Sequence, residues 1–421
     1  MNASRKPEVL RRRLLAIAND RMREEPTILL QGPRSVGKST LMQTIADNVG
    51  AVVIDLDDLE TRASVADDPA LFTAGPSPVL VDEFQHVPEL LDAIKAELNR
   101  DLRPGRFVLT GSTSFSTLPL TAQSLTGRLH RIDVWPLSQG EIEGTTERFL
   151  DALFADTRSL LTTTTSSVTR GDYARRILAG GFPLAIRRSV PARGRWFDDY
   201  VALVVERDVL ELSKIRQRTE LPRLLARLAA QTGQVLNIAK AGEAVGLTAD
   251  LAERYTTLLE SAFVLYRLPA WGRTLMSRTV AKPKLHLRDS GLAARLLRLD
   301  EERLLGLDAA ALSDFGHLFE TFCVNEVLKQ ASWMDDRPLV GHWRTHDGDE
   351  VDLILEGSGG RVVGVEVKAG SNVQSGDFSG LRKLRVRLGS SFAAGVVLHG
   401  GRHSREVDDR LYAMPAATLW A

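Results

Sequence analysis

The chain has 421 residues, of which 43% are apolar and 26% charged, and its 54 Lys plus Arg balance its 54 Asp plus Glu. That length exceeds one ordinary core and predicts two or three domains of a soluble globular protein. Zero formal charge excludes a global field for nucleic acid, and no apolar run nears the roughly 18 residues of a membrane helix, so no membrane partner is expected.

The N-terminal Met1-Asn2-Ala3-Ser4-Arg5-Lys6-Pro7 leads into Arg11-Arg12-Arg13-Leu14-Leu15 without a long apolar core, so it does not read as a secretory signal. A charged helical stretch spans about 8–24. Short apolar runs follow at 27–30, 52–56, 79–82, 107–110 and 132–135, separated by helical spacers. The alternation predicts an α/β domain whose parallel sheet is covered on both faces.

Between the strand-like Thr27-Ile28-Leu29-Leu30 and a helical pattern over 39–46 lies the phosphate-binding pattern G-x-x-x-x-G-K-[ST]. Glycines let backbone N–H groups approach phosphate oxygens, Lys38 supplies positive charge, the Ser39 hydroxyl suits Mg²⁺, and the helix N-terminus faces the anion. The expected contacts to ATP and Mg²⁺ are Gly32, Pro33, Arg34, Ser35, Val36, Gly37, Lys38, Ser39 and Thr40, together with Asp82. The strand Pro78-Val79-Leu80-Val81 ends in Asp82-Glu83, where Asp82 can hold Mg²⁺ through water and Glu83 can polarise the attacking water. A third strand, Phe107-Val108-Leu109-Thr110, ends in Gly111-Ser112, and Ser112 is the candidate sensor of the γ-phosphate, against a simple turn residue. In P-loop proteins of the additional-strand class this strand lies between the P-loop strand and the Mg²⁺-Asp strand. Arg128, in Ser124-Leu125-Thr126-Gly127-Arg128, is a candidate arginine finger, in cis or from a neighbouring subunit of a homo-oligomer; the alternative is a structural arginine.

Farther along, Thr162-Thr163-Thr164-Thr165-Ser166-Ser167 reads as a surface loop or linker, and 171–300 as mostly helical with few strand signals. Arg170, Arg175, Arg176, Arg187, Arg188, Arg193 and Arg195 form either a local basic patch or a solvated helical face. Residues 236–248 and 251–259 read as a helix-turn-helix, with Gly246 at the turn and Thr248 as N-cap. Its exposed set, Glu253, Arg254, Thr256 and Thr257, is poor for reading bases, which favours packing or assembly over DNA contact. Cys323 is the only cysteine; it excludes an internal disulfide, its apolar neighbours Phe319, Phe322 and Val324 suggest burial, and a reducing, cytoplasmic location is expected.

Past 337 strands return at 340–344, 351–355, 362–368 and 394–398. The glycine-rich Gly357-Ser358-Gly359-Gly360 makes the middle two a hairpin, which puts Glu366 and Lys368 on one face and Asp352 opposite residue 365 or 366. Two acids and a lysine suit Mg²⁺ and an activated water for phosphodiester cleavage; the other reading is a set of salt bridges.

The loop 32–39, Val81-Asp82-Glu83, Leu109-Thr110-Gly111-Ser112, Ser124 to Arg128, Trp135-Pro136-Leu137-Ser138, Gly180-Gly181-Phe182-Pro183, Glu206-Arg207-Asp208 and Lys282 to Leu292 together resemble bacterial and archaeal AAA-type ATPases with a C-terminal domain of unknown function, DUF4143. The resemblance covers nearly the whole chain. It implies an AAA-like P-loop core over 1–160, a helical lid and winged-helix-like region over 171–310, and a PD-(D/E)xK, restriction-endonuclease-like α/β domain over 311–421. It also implies that Glu320 joins Asp352 and Glu366, with Lys368, as a metal-binding nuclease site. Two functions are expected: an ATPase that drives a nuclease-like tail acting on DNA or RNA, or a nucleotide-switched protein whose tail binds nucleic acid or a partner without cutting. A kinase or transport role is disfavoured, because no second substrate motif appears and Glu83 is placed for water attack.

Overall fold

The computed structural model describes residues 10–114, 125–161, 165–205, 219–272, 282–345 and 347–421, and the chain divides into two compact units. The first runs to Leu137 and includes Ser261–Phe263; the second holds the rest. The second unit starts at Ser138 and takes in both 171–310 and 311–421, apart from Ser261–Phe263. Glu206-Arg207-Asp208, Ser124 and Thr162 to Thr164 lie outside the described residues.

In the first unit, α1 (Leu14–Met22) precedes β1 (Thr27–Gln31), α2 (Lys38–Val49), β2 (Val53–Asp55), β3 (Val79–Asp82), α3 (Leu90–Arg100), β4 (Phe107–Gly111) and β5 (Leu129–Asp133). The five strands are all parallel, in the order β2-β3-β4-β1-β5. β4 therefore lies between the P-loop strand and the strand ending in Asp82, as the additional-strand class requires. The amphipathic α3 turns Leu90, Leu91, Ile94 and Leu98 into a core shared with Leu29, Val81 and Leu109. β5 begins three residues before the expected 132. It is an edge strand, so His130 and Arg131 can be accommodated where an internal strand would need apolar residues on both faces.

The second unit opens with helical segments that include α4 (Arg170–Ala179). Then come α5 (Glu220–Ala229), β6 (Gln234–Val235), α6 (Ile238–Glu243), α7 (Ala249–Ser261), β7 (Leu265–Leu268) and β8 (Lys284–Leu287). The three strands form an antiparallel sheet in the order β6-β8-β7. The described part of 171–300 is mostly helical, and the three strands it adds are of two and four residues, too short for periodicity to register. The helix-turn-helix is present, with Gly246 at φ +77° and the Leu251 amide donating to the Thr248 hydroxyl at 3.3 Å. Thr256, expected to be exposed, is buried and donates its hydroxyl to the Ala252 carbonyl.

The remaining elements are α8 (Ser290–Leu296), α9 (Ala309–Ala331), β9 (Leu339–Arg344), β10 (Glu350–Glu356), β11 (Val362–Lys368), α10 (Ser379–Leu388), β12 (Phe392–His399), β13 (Arg405–Asp408) and β14 (Leu411–Pro415). They build a mixed six-stranded sheet, β13-β14-β12-β11-β10-β9. β13 and β14 were not foreseen. In the β10–β11 hairpin Leu353 pairs with Val365 and Ile354 with Gly364, so the same register continues to Asp352 opposite Glu366. α10 covers one face through Leu381 and Leu384, packed with Val351, Phe378 and Phe392. A Cβ at Gly380 would lie 2.1 Å from the Glu350 carbonyl oxygen, so α10 reaches its seat beside β10 only because this residue has no side chain.

Gly380→Ala should therefore destabilise the second unit by about 1–3 kcal/mol, as overpacking does. Gly376→Ala, at a position with nothing near its Cβ, should stay within about 0.5 kcal/mol of wild type. Denaturant unfolding measures both, and equal losses would contradict the packing argument.

Candidate nucleotide site and carboxylate cluster

The loop 32–37 leaves β1 and enters α2 through two left-handed residues, Ser35 at φ +61° and Gly37 at φ +94°. A Cβ at Gly32 would meet the Val134 carbonyl oxygen at 2.2 Å, which explains the glycine. Arg12 fixes the loop from outside, donating to the carbonyls of Val36 at 3.2 Å and Trp135 at 2.7 Å. The buried Lys38 turns back into the loop, and its Nζ donates to the Gly32 and Pro33 carbonyl oxygens, each at 3.0 Å. The loop thus holds an ammonium inside a ring of its own backbone.

Asp82 and Glu83 stand at the end of β3. Asp82 accepts from the Thr110 hydroxyl and is hydrogen-bonded to the Ser39 hydroxyl. Burial raises its pKa against those hydrogen bonds. Ser39 and Asp82 form a hard-oxygen pair at a helix N-terminus and fit Mg²⁺. Glu83 adopts φ +53°, rare outside glycine, and its carboxylate lies 3.9 Å from Lys38 Nζ. Its Oε2 accepts from the Ser112 hydroxyl at 2.9 Å and from the Gln85 amide, which also donates to Ser112 at 3.1 Å. Burial opposes the Glu83 charge, but Lys38, Gln85, Ser112 and Arg34 more than offset it and hold the carboxyl below its ordinary pKa.

Ser112 therefore meets Glu83, and the neighbouring Thr110 meets Asp82. Gln85 was missed, because a glutamine just past an acidic pair carries no sequence signal of its own. Arg128 does not join the cluster: its guanidinium donates to Asn99 of α3 at 2.5 Å.

In the second unit the structure brings Glu320 of α9, Asp352 and Glu350 of β10, and Glu366 and Lys368 of β11 around one cleft of about 670 Å³. Asp352 accepts from the Val367 amide at 2.9 Å, and Lys368 donates to Glu366 at 2.7 Å. A second lysine, absent from the expected set, occupies the middle. Lys284 of β8 is 2% exposed, and its Nζ lies 2.9 Å from Glu320, 2.6 Å from Glu350 and 2.7 Å from Asp352. Burial works against its charge, but Asp352, Glu320 and Glu350 outweigh that and raise its pKa. Burial, then Asp352, push Glu366 up to about 8, and burial raises Glu320 well above the carboxylate range. Among the described residues no three His, Cys, Asp or Glu side chains stand arranged to hold a metal ion. The carboxylates converge on an ammonium and do not fit the metal that the nuclease reading expects. The alternation Lys284-Leu285-His286-Leu287 puts Lys284 and His286 on one strand face, but nothing in it signals that this face is buried.

The arginine-rich stretch is largely engaged within the chain. Arg170 donates to the Leu304 and Gly306 carbonyls, Arg175 pairs with Asp172 and Glu301, and Arg176 donates to Gln139 at 2.7 Å while lying over the Trp420 ring. Gly180-Gly181 and Asp289 explain each other. Asp289 accepts from the Gly181 amide and caps α8 through Leu292, leaving no room for a Cβ at Gly180. Cys323 is buried, as expected.

Residues 24–143 match the family model described as AAA domain; 170–303 match a domain of unknown function, DUF8612, and 315–419 another, DUF4143. An uncharacterized protein of Mycobacterium tuberculosis is 28% identical over 393 residues, 93% of this chain and 80% of the relative, and one of Mycobacterium bovis matches equally. Among solved structures, the Walker-type ATPase of Pyrococcus abyssi superposes with a TM-score of 0.42 at 15% identity, over 70% of this chain and 97% of that one. The Holliday junction branch migration motor RuvB of Thermotoga maritima gives 0.26 at 22% identity, over 61% and 87%. The family matches support an AAA-type ATPase region followed by a DUF4143 region.

Proposed function

We propose that the first unit is a Mg²⁺-dependent ATPase. The observation that carries this reading is the constellation of buried Lys38, Asp82 and Glu83 with the exposed Ser39 at the ends of β1 and β3. Lys38 would exchange the Gly32 and Pro33 carbonyls for phosphate oxygens, and the loop amides would face the remaining ones. Ser39 and Asp82 would hold Mg²⁺, which supplies positive charge to the phosphates. Glu83, kept ionised and oriented by Gln85 and Ser112, accepts the proton of a water whose oxygen bonds the γ-phosphorus as the bond to the bridging oxygen breaks, giving ADP and phosphate. Arg128 would assist only after leaving Asn99, or from a neighbouring subunit. Lys38→Ala should abolish ATP turnover and weaken nucleotide binding. Glu83→Gln should retain binding and lower kcat by roughly 10²–10⁴-fold, read by phosphate release and nucleotide titration. Unchanged turnover in Lys38→Ala would overturn the assignment.

For the second unit, the order α9-β9-β10-β11-α10-β12 supports a nuclease-like fold, and α5-β6-α6-α7-β7-β8 with its β6-β8-β7 sheet supports a winged-helix-like region. Of the two functional readings, the Lys284 ammonium among Glu320, Glu350 and Asp352 favours a nucleotide-switched tail that binds nucleic acid or a protein without cutting. No described helix is long and apolar enough to cross a membrane. The purified chain with Mg²⁺ or Mn²⁺, with and without ATP, should leave single- and double-stranded DNA and RNA intact. Cleavage that Lys368→Ala removes would overturn the non-cleaving reading.

A further inference from the structure

Lys284 enters the carboxylate cluster from outside the sheet that builds it. Its strand, β8, belongs to the small β6-β8-β7 sheet, whereas Asp352 and Glu350 lie on β10 and Glu320 on α9. An ammonium has three hydrogens, and here three carboxylates stand at 2.6 to 2.9 Å from its nitrogen. Its donors are fully used. The fourth acid, Glu366, is nine-tenths buried at the same cleft; its Oε1 is taken by Lys368, while its Oε2 has no hydrogen-bond partner. A buried carboxyl oxygen without a donor is costly, so Glu366 adds an unsatisfied oxygen to the acids around Lys284. A divalent cation wants several oxygens at about 2.0–2.6 Å and cannot share the place held by Nζ.

We infer that Lys284 is a tethered cation that masks a latent divalent-metal site built from Glu320, Glu350, Asp352 and Glu366. With the lysine in place the carboxylates are spaced for an ammonium and neutralised from within the chain. With its charge removed, the same oxygens are left facing one another around an emptied centre, and a metal ion is the species that satisfies them. This deepens the non-cleaving reading of the second unit and rests on it for its consequence, which is that the cleft does no metal chemistry while β8 holds Lys284 there.

The probe is Mn²⁺ added without nucleotide to the full-length chain, followed by electron paramagnetic resonance and by thermal unfolding. Wild type should take up no Mn²⁺ that Asp352→Asn removes, and its melting temperature should not respond to the ion. Lys284→Met, an unbranched and uncharged side chain one atom shorter, should melt lower, bind one Mn²⁺ per chain and regain stability as Mn²⁺ is added. Adding Asp352→Asn to that variant should abolish the uptake. Lys284→Gln repeats the test with a polar end should the methionine variant not fold. Folded variants that bind no Mn²⁺ would overturn the inference, and so would Asp352-dependent uptake by wild type. Uptake by wild type without strand cleavage overturns this inference alone, while cleavage overturns the non-cleaving reading.

Discussion

The carboxylate cleft of the second unit depends on one buried positive charge, that of Lys284. Three carboxyl groups from two elements converge on Lys284: Asp352 is buried, Glu320 nearly so, and Glu350 is partly exposed. Removing one partner from a buried ionic set typically costs about 3–5 kcal/mol, because the remaining charges stay out of water without compensation. Such a set is weak evidence of net stabilisation, since desolvation consumes most of what attraction returns. Its effect is on specificity: β8 can sit in one register against α9 and β10, because a shift by one residue would turn Lys284 away and bring Leu285 to the carboxylates.

The neighbouring polar groups share that logic. α9 carries Thr321, Asn325, Glu326, Lys329 and Gln330 as buried residues, an unusual load for a core helix. Each finds a partner. Asn325 donates to the Leu287 carbonyl at the end of β8 and accepts from Tyr266 of β7, Thr321 bonds Thr232, and Gln330 donates to the Leu419 carbonyl. The helix therefore reads its surroundings by hydrogen bonds as well as by shape, which fixes the small sheet and the chain's end against one surface.

What the sequence made legible follows from where its signals are local. The P-loop, the Asp82-Glu83 strand end and the β10–β11 hairpin each lie within one short run, where glycine conformations, strand period and turn length act directly. The place of β4 between β1 and β3 was legible because it follows from the class of P-loop domain. Lys284 was not, because its meaning comes from residues 36 and 68 positions away, and no local pattern distinguishes a lysine that will be buried from one that edges a strand. Gln85 was not legible because a glutamine beside an acidic pair carries no signal until the fold brings Ser112, 27 positions away, to its amide. β6 and β7 were missed because they are brief and their pairing partner, β8, is distant in sequence.

The two units use a lysine among acids in opposite ways. Lys38 is bonded to two backbone carbonyls of its own loop, neutral groups whose loss a phosphate more than repays, and the Glu83 carboxylate lies 3.9 Å away. It is a cation held ready for an anion that comes and goes. Lys284 lies at hydrogen-bond distance from three acidic side chains, and no incoming anion could offer it a better set. The same side chain is thus exchangeable in one unit and captive in the other, and the difference lies in whether its partners are backbone carbonyls or acidic side chains.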